Sequence, residues 1–394
     1  MEVYVWKYMY ERSKEKMGKL TPAIDSNKRL QYVDTVKGIA ILWIVLYHLI
    51  APCVFKEIIN HLLELFLTAF FFYSGFFYKP GKRSVVENLR NRAKSLMVPF
   101  FRFSLCFWAA GSVYLVATKK ETLKEAVLCL RNFYAGSMWS RVIQDWFSWE
   151  YYSLGKRYFF LADFWFLIAM LFASLIFFLI ADRALRSVSG MILSVLSLFA
   201  VTGLCLRFAV SLPYNIQVAP YWAAFMLLGA FAASKKLTEL PSLSDGAKWT
   251  LAVLLIGIGA VIAFLKVPSL NQFRGSFGGD ELLSMLLCIA AAVPFVLGIG
   301  SLFYLIESKG LRIEKLAWLG SHSLIIYLFH VFCAWIICAV TGFSIFYKKS
   351  VSAEVLLGSI LLSVCCLVLC ILLGILEDKV KKLLEKSNKI RSTS

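Results

Sequence analysis

Ten stretches of roughly twenty residues, nearly free of charge, run through this chain and narrow its fold more than any other feature. They fall at about 36–55, 62–78, 96–118, 159–181, 188–210, 217–234, 248–266, 281–306, 316–340 and 352–376. Apolar runs of that length match the thickness of a bilayer core, where a helix satisfies its own backbone without water. The expected fold is therefore all-α, a polytopic membrane helix bundle of about ten transmembrane helices. A soluble protein of 394 residues would also carry far more charge than the 17% present here, since roughly a quarter is usual.

The basic residues sit in short clusters between the apolar runs. With both termini placed in the cytoplasm, inner segments hold 28 Lys and Arg and outer segments 13, seven of those in the one long loop, 119–158. That is the bias expected of a correctly counted set of spans. The net charge of +18 thus reads as topology, and no nucleic-acid partner is expected. Of ten cysteines, nine lie in or beside apolar runs, where Cys acts as a small hydrophobe. No metal-type C-x-x-C spacing occurs, so no metal is expected. Residues 1–29 form a cytoplasmic segment without a signal-peptide core, 30–376 the membrane domain, and 377–394 a basic tail suited to an anionic inner leaflet. The long loop holds Phe133, Tyr134, Trp139, Trp146, Phe147, Trp149, Tyr151 and Tyr152. Such rings suit either stacking on sugars or an interfacial belt.

Four histidines occur, and His48 stands out because Gly38–Phe55 is otherwise uncharged. An ionisable residue past the middle of a span is costly and points to function. Lys37 lies eleven residues earlier, ~20° away in azimuth and ~16 Å along a helix, with Asp34 near the same line. One helix face thus offers a carboxylate, an ammonium and an imidazole, fitting an anionic head at one end and a reactive group at the other. His330 falls mid-span with Tyr327 one turn away, placed to orient His48 or to bind an acceptor, the alternative being a satisfied buried imidazole. Asp163 beside Trp165 is a further candidate for holding an acceptor from outside. His61 and His322 are expected at interfaces. Glu64, Arg207, Asp280 and Glu281 are expected as solvated charges at span ends.

The run Asp34-Thr-Val-Lys37-Gly38 through His48 resembles the opening of the acyltransferase-3 family, with Lys37 where Arg is usual, as in members similar to fucose 4-O-acetylases. Phe71-Phe72-Tyr73-Ser74-Gly75-Phe76, the basic stretch Arg90 to Pro99, Phe164-Trp165-Phe166-Leu167 and Ser323 to His330 resemble its later segments, in order. The resemblance covers about residues 28–376. It implies a bacterial, multi-pass cell-membrane O-acyltransferase using cytosolic acyl-CoA, often acetyl-CoA, as cosubstrate with no bound cofactor. The acceptor implied is a hydroxyl of a surface polysaccharide or lipid-linked glycan. His48 would be the base, or carry the acyl group transiently. Lys37, Arg92, Lys94 and Arg102 would receive the phosphates, and Ser74 and Gly75 would line the thioester channel or simply pack helices. The competing reading is a transporter or flippase for a glycan or small anion.

Overall fold

The computed structural model describes residues 30–50, 54–135, 158–208, 210, 212–240, 242–266, 281–342 and 352–393. Among these there are twelve α-helices, a few short 3-10 turns and no strand. The helices are α1 (Gln31–Leu49), α2 (Val54–Phe76), α3 (Val85–Ala117), α4 (Leu123–Tyr134), α5 (Trp165–Ala184) and α6 (Val188–Arg207). They continue as α7 (Ala219–Ser234), α8 (Asp245–Lys266), α9 (Glu281–Ser308), α10 (Glu314–Ser321), α11 (Ser323–Thr341) and α12 (Ala353–Thr393). All except α4 and α10 belong to the ten segments long and apolar enough to cross a membrane.

The outside of the bundle shows what surrounds it. Leu193 and Leu196 on α6, Val253 and Val261 on α8, and Leu361 and Leu372 on α12 are all exposed. Each, roughly half to two thirds exposed, would cost about 1–2 kcal/mol left in water, and dozens of large apolar side chains share that position. A hydrocarbon surrounding removes the penalty. The chain is a multi-pass membrane protein.

At the centre lies α1, packed against α2, α9, α10, α11 and α12. Its first turn is pinned twice. The Tyr32 amide, one of the donors a helix start leaves unpaired, donates to Glu307 Oε2 at 2.7 Å. The Tyr32 hydroxyl lies 3.2 Å from Thr238 Oγ1. Further along, α10 rests on α1 backbone to backbone. A β-carbon on Gly38 would strike the Leu316 carbonyl, and one on Gly320 would strike the Asp34 carbonyl. Only glycine allows that approach.

Several boundaries differ from expectation, each for a physical reason. α1 runs over 31–49 instead of 36–55. Ile50 is already extended, and Pro52 lacks an amide and disfavours helix at the residue before it. His48 therefore sits in the last turn of its helix, not just past mid-span. α2 begins at Val54 rather than near residue 62, because its polar opening (Lys56, Glu57, Asn60) hid the helix from a hydropathy reading. The expected run 316–340 is broken at His322 into α10 and α11. The start of the long loop folds as α4, capped by Thr122 and Glu125 in a reciprocal capping box. Phe133 and Tyr134 are packed inward, Phe133 stacking on Phe100 and Tyr134 reaching Ser104 at 2.8 Å, so neither is a free sugar platform. Trp139 to Tyr152, like residues 1–29, lie outside the described residues. The 377–394 tail continues α12 without a break as far as Thr393.

Candidate active site

The end of α1 meets the middle of α11. There the His48 and His330 rings stand with centroids 5.1 Å apart at 67°. His330 is fully buried, whereas His48 is only half-buried, with Tyr47 edge-on to it at 4.9 Å. Tyr327 packs 5.9 Å from His330, and Phe166 of α5 closes on Tyr327 at 5.0 Å. These contacts join α1, α5 and α11 in one cluster.

The backbone sets the protonation of His330. Its Nδ1 lies 2.7 Å from the Tyr327 carbonyl, which can only accept, so Nδ1 carries a proton. In the neutral ring, Nε2 then holds the lone pair. The Cys366 thiol of α12 donates to the His330 carbonyl at 2.9 Å and ties that turn of α11 in place. An imidazole fixed in one tautomer beside a second, more accessible imidazole is an arrangement able to move a proton. His48 is the more exposed member of the pair.

A second group lies toward the opposite end. Arg92 of α3 donates from Nε to Ser174 Oγ at 3.1 Å and from a terminal nitrogen to Met170 Sδ at 3.3 Å. Among the described residues no ion pair holds this guanidinium. Phe166, Met170 and Ser174 form one stripe of α5 at four-residue spacing, so Arg92 lies ~12 Å along α5 from Phe166. Lys37 Nζ sits 5.3 Å from the centre of the Phe77 ring. The next residue, Tyr78, packs on Phe177 of α5 at 4.9 Å, one turn from Ser174. Arg92 thus meets the middle of α5, Lys37 lies beside Phe77 just past the end of α2, and the histidine pair lies toward the first turn of α5.

The remaining candidates separate from this group. Asp34 is buried one turn before Lys37, at the α10 contact. Lys94 and Arg102 are exposed; Lys94 lies ~160° around α3 from Arg92, on the opposite face, and Arg102 lies ~80° around and ~15 Å further along the helix. Ser74 is half-buried, and the flank of Gly75 is filled by the Met226 carbonyl of α7, as that of Gly229 is by Phe72. Gly75 is thus a packing glycine. Trp165 is buried at the start of α5. Asp163 belongs to the preceding 3-10 turn, and its side chain lies outside the described residues. His61 packs against Phe264 at 5.2 Å, and His322 binds Asp378. Glu64 corrects an expectation: it is only 6% exposed, near Tyr221 of α7 and Cys288 of α9. The early start of α2 puts it ten residues inside the helix rather than at its edge.

Ten apolar helices with ionisable side chains gathered between them define a polytopic membrane protein with a polar interior. The chain belongs to the acyltransferase-3 family, whose profile, an acyltransferase domain, matches residues 30–376. It is a membrane acyltransferase. No match was found among curated proteins or among solved structures.

Proposed function

We propose that the protein moves an acyl group from cytosolic acyl-CoA to a hydroxyl of an extracytoplasmic or lipid-linked carbohydrate, in the bacterial cell membrane. The observation that carries this reading is the His48–His330 pair, 5.1 Å apart at the last turn of a helix whose first half bears Lys37. The anionic head of the donor binds Lys37 and Arg92, where a guanidinium held by a hydroxyl and a thioether keeps its charge for a phosphate. The extended arm of the donor follows the face of α1, bringing its thioester ~16 Å further to His48. His48 takes the proton as the sugar oxygen attacks the acyl carbonyl, and returns it to the departing CoA thiolate. His330, held by Tyr327 and Cys366, orients His48 and shares that proton. Acetyl is the acyl group this reading favours, through the family resemblance. Trp165, Tyr327 and Asp163 lie nearest in the chain to the expected acceptor side.

The test is transfer in proteoliposomes holding acetyl-CoA labelled in the acetyl group and a glycan acceptor. Label on the glycan supports the reading. Glycan crossing the bilayer with all label left on CoA supports a transporter and overturns it.

A further inference from the structure

The elbow between α10 and α11 is tied to the last helix by one compact set of contacts. His322 closes α10 and opens α11. Its Nε2 donates to Asp378 Oδ1 at 3.0 Å, and the Trp318 indole nitrogen donates to Asp378 Oδ2 at 3.4 Å. The Trp318 ring stacks on the His322 ring with centroids 4.1 Å apart and planes at 26°. His322 Nδ1 lies 2.9 Å from both the Trp318 carbonyl and Ser321 Oγ. α12 passes so closely that a β-carbon on Gly374 would come within 2.9 Å of the Trp318 ring. His322 is 9% exposed there and Asp378 38%, so the carboxylate lies at the rim and the imidazole inside.

The same short helix is the one seated on α1. Leu316, two residues before Trp318, rests its carbonyl on Gly38, and Gly320, two residues after, abuts the Asp34 carbonyl. Lys37 falls between those two contacts. Where backbones touch without side chains between them, no rotamer change absorbs a shift, so a displaced α10 displaces the Lys37 turn. His48 stands at the far end of α1 and is steadied separately by His330.

We propose that Asp378, His322 and Trp318 are positioning residues for the acyl donor. α12, through Asp378, holds α10 in register on α1 and so holds Lys37 where the donor's anionic head docks. This inference rests on the reading above that Lys37 receives acyl-CoA. A loosened elbow weakens donor binding and leaves the chemical step at His48 largely intact.

The experiment measures acyl-CoA KM and kcat separately on the full-length protein in proteoliposomes. Asp378→Ala is expected to raise KM about tenfold with kcat within about twofold. Asp378→Asn keeps an amide oxygen to accept from His322 and is expected to recover most of the loss. Adding Asp378→Ala to Lys37→Ala is expected to change KM little, because the two act on one interaction. Should Asp378→Ala fail to purify, Trp318→Phe removes the indole donor and trims the ring stacked on His322 while leaving Asp378 in place, and is expected to raise KM by a smaller factor. An unchanged KM, a fall in kcat alone, or KM effects of Lys37→Ala and Asp378→Ala that multiply overturns the latch. A wild-type protein that transfers nothing refutes the functional reading instead, and the wild-type control tells the two failures apart.

Discussion

At His330 a single carbonyl decides which ring nitrogen holds a proton and which can accept one. The histidines were legible in the sequence as ionisable residues in apolar runs, but their pairing was not, because helices far apart in the chain bring them together. Arg92 was likewise legible as a basic residue near a span end. Its separation from Lys94 follows from helix azimuth and from Arg102 mainly from distance along the helix, both of which counting charges ignores. If Arg92 holds a phosphate by its planar fork, Arg92→Lys should recover little of what Arg92→Leu loses. Both should raise acyl-CoA KM about tenfold or more in steady-state kinetics, and wild-type KM in Arg92→Leu would remove Arg92 from the donor site. Gly38 gives a second expectation at this scale. Gly38→Ala forces a methyl into the Leu316 carbonyl and should destabilise by ~1–3 kcal/mol. Thermal unfolding in detergent reads this as a lowered Tm, and an unchanged Tm would mean that α10 does not bear on α1.

Among the elements, α1 and α4 test the packing most sharply. The apolar runs predicted the ten long helices, because hydropathy reports length and solvent directly. Their ends were misplaced where polar residues begin a helix, as in α2, or where a break hides inside an apolar run, as at His322. The displaced start of α2 is also why Glu64 was read as a boundary charge. One alanine inserted after Ile41 would turn His48 by ~100° away from His330. Such a variant should still insert and pack its outer helices but lose transfer, and retained transfer would mean that register does not matter. In α4, Cys129 is 3% exposed, and burial, with Glu121 nearby, pushes its thiol up to about 12. The thiolate is the reactive form, so at pH 8 nearly all of Cys129 is the unreactive thiol. Its rate of maleimide labelling should keep climbing with pH beyond 10 instead of levelling near the ordinary thiol range. Levelling near 9 would place Cys129 in water and loosen α4 from α3.

The whole molecule is a bundle whose least buried helices, α6 and α8, turn apolar faces outward while α1, α2 and α7 are enclosed. An even number of spans would put the two termini on one side of the membrane, and the charge bias predicts that this side is the cytoplasm. Reporter fusions at either terminus should therefore give the same cytoplasmic signal, and opposite signals would mean an odd number of crossings. The class of the molecule was legible because a bilayer imposes so few solutions on a chain. The site was legible only in part, since closing ten helices around a common centre is a property no local pattern contains. The most direct measurement is a double-mutant cycle on acyl transfer with His48→Ala, His330→Ala and the pair. Removal of His48 should cost roughly 10²–10⁴ in rate, and adding His330→Ala should cost almost nothing further. Full transfer by the His48→Ala protein, or losses that multiply independently, would contradict a histidine pair acting as one unit.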